Sequence, residues 1–137
     1  MVNYCLDTNI VSEILRGNEK IKQRLIDEIN AGNRYSLCVI VYYEIVRGLI
    51  HKDTNRKIDA FKTFYDKAAE HFILDKTAAN KAAEIYADLK SKGLKVGDSD
   101  NDIFIAAISI VNGCTLVTAN TRHFERVEGL NFVNWRD

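Results

Sequence analysis

Three acidic residues stand in apolar surroundings at widely separated points of the chain. They are Asp7 in CLD, Glu44 in YYEIV and Asp102 in NDIFIAA. A carboxylate in such a position is costly to bury unless a cation compensates its charge. Neither Asp7 nor Asp102 has a lysine or arginine beside it in sequence. A divalent ion such as Mg²⁺ or Mn²⁺ would supply the missing charge, because both ions prefer oxygen ligands and need only a few protein carboxylates.

A site of this kind is suited to chemistry on a phosphodiester. Mg²⁺ or Mn²⁺ activates a water molecule, neutralises the phosphate and steadies the leaving oxygen. Without the ion, clustered carboxylates would repel a phosphate backbone. Asn120, which follows the apolar run LVTA, offers one more oxygen to this chemistry without adding charge.

Each acid also has a purely structural interpretation, which the sequence leaves open. Asp7 is of the residue type that best caps the N-terminus of a helix, and a helical pattern follows it. Glu44 can pair with Arg47 at i,i+3. The acidic cluster DSDND, residues 98–102, can cap the helix that it opens and complement its dipole.

The apolar pattern predicts strands that alternate with helices. Short apolar runs at 2–6, 35–38, 71–74, 114–118 and 132–135 are typical of strands, and helical patterns lie between the first four of them. We therefore expect a single α/β domain over residues 1–137, with a central, mainly parallel sheet flanked by helices on both faces. Ligands bind such sheets at the carboxyl ends of the strands, which is where the acids fall.

Two of the predicted helices have an assignable packed face. For the helix at 77–92, the packed side is expected to be Ala79, Ala82, Ala83, Tyr86 and Leu89. For the helix that begins after Gly17-Asn18, one stripe is expected to hold Ile21, Leu25, Ile26 and Ile29.

Composition excludes several classes of protein. Lysine plus arginine equal aspartate plus glutamate at 19 each, so net charge gives no argument for a nucleic-acid or membrane partner. The three cysteines are odd in number and lie in apolar runs, as expected of core residues in a reducing compartment. No apolar run reaches the length of a membrane span, and we expect a cytoplasmic protein.

Four stretches together resemble a known family. They are LDTNIVSEIL, YYEIVRG, VGDSDNDIFIAA and LVTANTRHFERVEGL, and their order and spacing cover nearly the whole chain. The chain resembles the PIN domains, and within them the ribonuclease toxins of VapBC-type toxin-antitoxin modules. The resemblance implies a Mg²⁺- or Mn²⁺-dependent endoribonuclease that cuts structured RNA, often transfer or ribosomal RNA. It also implies a homodimer held inactive by a small antitoxin, whose C-terminal segment reaches the active site.

Position by position, the resemblance makes Asp7, Glu44 and Asp102 the metal-binding acids. At the fourth position, two residues after a threonine, the family often has aspartate where this chain has Asn120. Asn120 would orient the attacking water or complete the set of ligands. The residues that could compensate for the missing charge are Asp98, Asp100 and His123.

Two functions follow from these residues. The first is the endoribonuclease toxin, in which Thr8 and Asn9 orient the carboxylate of Asp7 by hydrogen bonds. RNA would then be held by local cations: Arg16, Arg47, Lys52, Arg56 and Arg122. The alternative, motivated by Asn120, is a catalytically weakened PIN-fold module that binds RNA or a protein partner.

Overall fold

The computed structural model of the chain describes residues 1–50, 55–97 and 99–136. At its centre is a parallel sheet of short strands in the order β3-β2-β1-β4-β5. The strands are β1 (Asn3–Leu6), β2 (Arg34–Cys38), β3 (His71–Phe72), β4 (Thr115–Val117) and β5 (Phe132–Val133). The predicted α/β class with a parallel sheet is confirmed.

Within the described residues, seven helices connect these strands. They are α1 (Thr8–Leu15), α2 (Glu19–Asn30), α3 (Val39–Ile50), α4 (Asn55–Asp66), α5 (Lys76–Ser91), α6 (Asn101–Val111) and α7 (Thr121–Phe124). The chain runs from β1 to β3 in one direction across the sheet, and it then returns past β1 to β4 and β5. Since crossovers between parallel strands are right-handed, the strand order is the one expected when α1 to α4 cover one face and α5 to α7 cover the other.

Burial along β1 agrees with a sheet that is covered on both faces. Tyr4, Cys5 and Leu6 are consecutive and all buried, although neighbouring residues of a strand point to opposite faces. The direction of winding reverses between β1 and β4, and such a reversal opens a crevice at the carboxyl ends of the two strands. Asp7 follows β1 at this point, and its backbone N–H donates to the carbonyl of Val117, the last residue of β4, at 2.9 Å.

The packed face of α5 differs from the expected one. Its buried residues are Ala78, Ala82, Ile85 and Leu89, whereas Ala79, Ala83 and Tyr86 are exposed. Because alanines occur all round this helix, two neighbouring faces, offset from each other by one residue, could both pack against the core. The core selects the stripe with Ile85 because the larger side chain buries more apolar surface.

The predicted packed face of α2 is confirmed for only two of its four residues. Ile21 and Leu25 are buried, but Ile26 and Ile29 remain 47% and 44% exposed. The strand expected at 71–74 is also shorter than expected, because β3 ends at Phe72 and Ile73 is 64% exposed.

No helix among the described residues has the length and apolar character needed to cross a bilayer.

Candidate active site

Asp7 is both a helix cap and a buried carboxylate. It is the N-cap of α1, and its Oδ1 accepts the backbone N–H of Thr8 at 2.8 Å. Its Oδ2 accepts the hydroxyl of Thr118 at 2.7 Å. Only 3% of the residue is exposed, and this burial raises its pKa. The hydrogen bonds from Thr118 and Thr8 lower the pKa, and the nearby charge of Glu44 raises it further.

Glu44 is brought to Asp7 by Thr8. Glu44 lies on α3 and is half-buried, and its Oε1 accepts the hydroxyl of Thr8 at 2.7 Å. Thr8 therefore holds one carboxylate with its backbone and the other with its side chain. Arg47, which the sequence offered as a partner for Glu44, lies over the ring of Tyr43 at 5.0 Å from its centroid. The hydrogen bond from Thr8 of α1 therefore takes the place of the predicted ion pair between Glu44 and Arg47.

Thr118 is a site residue that the sequence analysis missed. It is completely buried directly after β4, where it donates to Asp7 and accepts the backbone N–H of Asn120 at 3.0 Å. The signal that could have found it is a hydroxyl at the carboxyl end of a predicted strand, the same rule that selected Asp7. Asn9, expected to orient Asp7, instead accepts the backbone N–H of Ala119 at 3.4 Å.

Asn120 enters the hydrogen-bond network through its backbone. It stands at the N-cap position of α7, where its carbonyl accepts the N–H of His123 at 3.1 Å. Its side chain is exposed and makes no capping hydrogen bond. The amide is therefore displayed at the surface next to the network of Thr118 and Asp7.

Asp102 is held against a glycine. It lies in the first turn of α6 and is half-buried. A Cβ built on Gly97 would come within 2.2 Å of its Oδ2, and Gly97 has a φ of +64°. Both facts require glycine at position 97.

Asp100, a further acidic candidate at the start of α6, does not cap this helix with its side chain. Asp100 occupies the N-cap position but makes no side-chain cap, whereas the hydroxyl of Ser99 accepts the N–H of Asn101 at 3.3 Å. Asp98 lies outside the described residues. His123 is half-buried on α7, and its Nδ1 is enclosed without a hydrogen-bond partner among the residues that the structure describes.

A cleft of about 630 Å³ adjoins the carboxylate of Glu44 and is lined by residues of α1, α3 and α4. Thr8 and Glu44 line it together with two cations, Arg16 and Lys57. Arg16 pairs with Glu13 at 3.3 Å. Arg56 and Arg122 are exposed, and Lys52 lies outside the described residues.

The residues present suit a hard divalent cation. Asp7 and Glu44 offer carboxylate oxygens that both accept hydrogen bonds from Thr8, and no ion pair between described residues includes either acid. Over residues 1–50, 55–97 and 99–136, no three histidine, cysteine, aspartate or glutamate side chains lie close enough to hold a metal ion. The structure thus brings Asp7 and Glu44 together, and it places Asp102 separately against Gly97.

Comparison with known proteins assigns the chain to a family. The model of the PIN domain matches residues 4–130. Ribonuclease VapC2 of Haemophilus influenzae is 33% identical, and the alignment covers 98% of this chain and 99% of that protein.

Two solved structures are similar in fold over almost their whole length. A VapBC2 structure from Rickettsia felis, bound to a DNA fragment from its promoter, has a TM-score of 0.86 at 25% identity and covers 98% of this chain and 99% of that one. A DNA-bound VapBC structure from Salmonella typhimurium has a TM-score of 0.86 at 28% identity, with the same coverage. With its acidic residues at the carboxyl edge of a parallel sheet, the chain belongs to the PIN domain family and is a VapC-like member of it.

Proposed function

We propose that this protein is a divalent-metal-dependent endoribonuclease and the toxin of a type II toxin-antitoxin module. The observation that carries the proposal is the buried Asp7, which lies beside Glu44 at the carboxyl end of β1 and has no cation paired with it among the described residues. The name of the Haemophilus relative, a ribonuclease, supports the same activity.

Asp7 and Glu44 would hold the ion, either Mg²⁺ or Mn²⁺, and Asp102, which lies against Gly97 in this structure, is proposed as a third ligand. When bound, such an ion supplies a Lewis acid that stabilises negative charge on a phosphodiester and lowers the pKa of water. Thr8 and Thr118 hold the carboxylates of Asp7 and Glu44 in fixed directions, so neither carboxylate needs to reorganise as charge develops.

Asn120 is proposed to position the attacking water. Its exposed side-chain amide has both a donor and an acceptor, and it follows Thr118 by two residues. Because it carries no charge, it cannot substitute for a fourth carboxylate. Two described residues could contribute to the site in its place. Asp100 is two residues before Asp102, and His123 is three residues after Asn120.

The proposed partners follow from the similar structures. Both of those described above are VapBC assemblies on DNA, so we expect a cognate antitoxin to bind this chain and a homodimer to form within the complex. The proposed substrate is RNA, with transfer and ribosomal RNA as the first to be tried. Purification of the chain together with the product of an adjacent reading frame would identify the antitoxin.

Cleavage of RNA by the purified protein tests the activity. Wild-type protein with Mn²⁺ should cut transfer or ribosomal RNA at internal positions, and chelation should stop the cutting. Asp7→Asn should abolish the cutting, whereas Asp66→Asn, at an exposed position at the end of α4, should leave it unchanged. Equal cleavage by Asp7→Asn and wild type would rule out the proposed site.

The second candidate function is a binding module that lacks catalysis, and the neutral Asn120 favours it. A module that has lost its metal should gain no thermal stability from Mn²⁺, whereas a metal-binding nuclease should gain stability as the ion concentration passes its Kd. A melting series with and without Mn²⁺ therefore separates the two functions, even when the correct RNA has not been found.

A further inference from the structure

A second cleft, of about 360 Å³, lies between the end of α5 and the beginning of α6. Its volume is at the small end of the range for ligand pockets, which is about 300–1,000 Å³. Its floor consists of the buried side chains of Leu89, Val96 and Ile103. The connection from α5 to α6 is held in place because Val96 is buried and Arg126 donates to the carbonyl of Lys95 at 2.8 Å.

The walls of this cleft carry an aromatic ring and two cations. The ring of Tyr86 is 50% exposed, and the ammonium of Lys90 lies 5.8 Å from its centroid. Lys90 and Lys95 both line the cleft, and neither forms an ion pair with another described residue. One acid, Asp100, also lines the cleft, at the side of α6.

The neighbouring Lys92, unlike Lys90 and Lys95, forms ion pairs with described residues. Its ammonium binds Asp88 at 3.0 Å and Glu128 at 2.9 Å. Lys92 is therefore neutralised, while no described residue forms an ion pair with Lys90 or Lys95, and the cleft carries their two positive charges beside the one carboxylate of Asp100.

The second cleft shares a residue with the surroundings of the active site. Gly97 lines it, and the carboxylate of Asp102 lies against Gly97. From the right-handed crossover rule we expect α5 and α6 on the face of the sheet opposite to α1, and therefore this cleft and the cleft beside Glu44 on different sides of the sheet. A nucleic-acid strand that crosses the carboxyl edge of the sheet at Asp7 would have the second cleft within reach on one side.

We propose that this second cleft binds one unpaired nucleotide of the RNA substrate, with its base on the ring of Tyr86 and its phosphates at Lys90 and Lys95. The inference rests on the proposed ribonuclease function, since it names a subsite for that substrate. An exposed aromatic ring next to unneutralised cations is the arrangement by which proteins bind single-stranded nucleic acid. The apolar floor favours a base, and the two ammonium groups favour the phosphates that flank it.

The chain contains a matched control for the aromatic residue. Tyr43 is 53% exposed and has Arg47 over its ring, four residues further along α3, as Lys90 is four residues beyond Tyr86. Tyr43 lines neither cleft. A contribution that depends on the cleft should therefore appear at Tyr86 and be absent at Tyr43.

Binding of a short single-stranded RNA, measured by fluorescence anisotropy in the Asp7→Asn background with Mg²⁺, tests the proposal without cleavage. Tyr86→Ala should weaken binding about tenfold, the usual effect of losing one stacked base, and Tyr86→Phe should bind as tightly as its parent. Tyr43→Ala should weaken binding much less than Tyr86→Ala. Lys90→Ala and Lys95→Ala should each reduce the slope of log K against log salt concentration by about 0.7, and Lys92→Ala should not.

Crosslinking provides an independent measurement. RNA that contains 5-iodouridine should crosslink, on irradiation, to a peptide that includes Tyr86. Equal affinities for the Tyr86→Ala and Tyr43→Ala variants, or a crosslink mapped only to other peptides, would overturn the subsite. If wild type cuts RNA and Tyr86→Ala cuts with the same KM, the subsite is wrong while the nuclease stands. If no RNA is cut but binding depends on Tyr86, the nuclease is wrong while the subsite stands.

Discussion

The hydroxyl of Thr118 donates to Oδ2 of Asp7 at 2.7 Å, across 111 positions of the sequence. The same hydroxyl accepts the backbone N–H of Asn120, so its single proton is directed at the carboxylate. Both side chains are buried where β1 and β4 end side by side. The parallel pairing of these two strands therefore fixes the direction in which the Asp7 carboxylate points.

Thr118→Val should weaken both folding and metal binding. Valine keeps the shape but removes a hydrogen bond to a buried charged group, which contributes about 1.5–3 kcal/mol to the free energy of unfolding. Loss of an orienting partner of a metal ligand typically lowers metal affinity about 10–100-fold. Urea unfolding and calorimetric titration with Mn²⁺ measure the two effects. Thr118→Ser keeps the hydroxyl and should retain the Mn²⁺ affinity. A Thr118→Val protein with unchanged affinity would show that this hydrogen bond does not organise the site.

Gly97→Ala should disrupt the site more than the fold. Alanine at a φ of +64° costs roughly 1–2 kcal/mol in backbone strain, and its Cβ would also displace the carboxylate of Asp102. A misplacement of about 1 Å in a catalytic group can cost about a hundredfold in rate. Gly113→Ala is the matched control, because Gly113 has a φ of +66° and no atom within 4 Å of the added Cβ. We expect similar unfolding free energies for the two variants, and a large loss of RNA cleavage for Gly97→Ala alone. Equal cleavage rates would remove Asp102 from the proposed site.

The sequence was sufficient to predict the parallel sheet. Of the three acids predicted to cluster, the structure joins Asp7 and Glu44 through Thr8. β1 and β4 are short, apolar and buried on both faces, so their pattern is clear without tertiary information. Asp7 follows directly from the end of β1. Its interpretation as a cap is confirmed, because one oxygen accepts the N–H of Thr8 at the start of α1. The other oxygen accepts the hydroxyl of Thr118, and metal binding by Asp7 stays a prediction.

Other features depend on packing that the sequence does not display. The four-residue helix α7 is too short to show periodicity. The orientation of α5 is decided by which side of an alanine-rich helix the sheet accepts, and the buried Ile85 was missed for that reason. Glu44 binds Thr8 rather than Arg47 because α1 and α3 pack side by side, a contact between distant parts of the chain.

Asn120→Ala separates the backbone role of this residue from its side-chain role. The N–H that binds Thr118 is retained and the lost amide is exposed, so the free energy of unfolding should change by less than about 0.5 kcal/mol. If the amide positions the attacking water, kcat for RNA cleavage should fall about 10–100-fold with little change in KM. Asn112→Ala, at an exposed site at the end of α6, is a control for the loss of an amide. An unchanged kcat in Asn120→Ala would restrict the contribution of Asn120 to its backbone.

Asp7→Asn should stabilise the metal-free protein at neutral pH. Burial raises the pKa of Asp7 in the folded state, so the unfolded chain ionises first as pH rises above about 4, the ordinary pKa of aspartate. The stability of wild type relative to Asp7→Asn should therefore be greatest below this pH, fall as pH rises, and level off above the folded-state pKa. Unfolding in urea with a chelator, over a series of pH values, measures this difference.

Mn²⁺ should reverse the order of the two proteins at neutral pH. The ion binds ionised Asp7, so wild type should gain about 2.7 kcal/mol at a concentration a hundred times its Kd, and Asp7→Asn should gain much less. The exposed Asp66→Asn variant should follow wild type in both series. A wild-type curve parallel to that of Asp7→Asn at every pH would show that Asp7 does not titrate as its burial requires. An equal gain from Mn²⁺ in both proteins would place the ion away from Asp7.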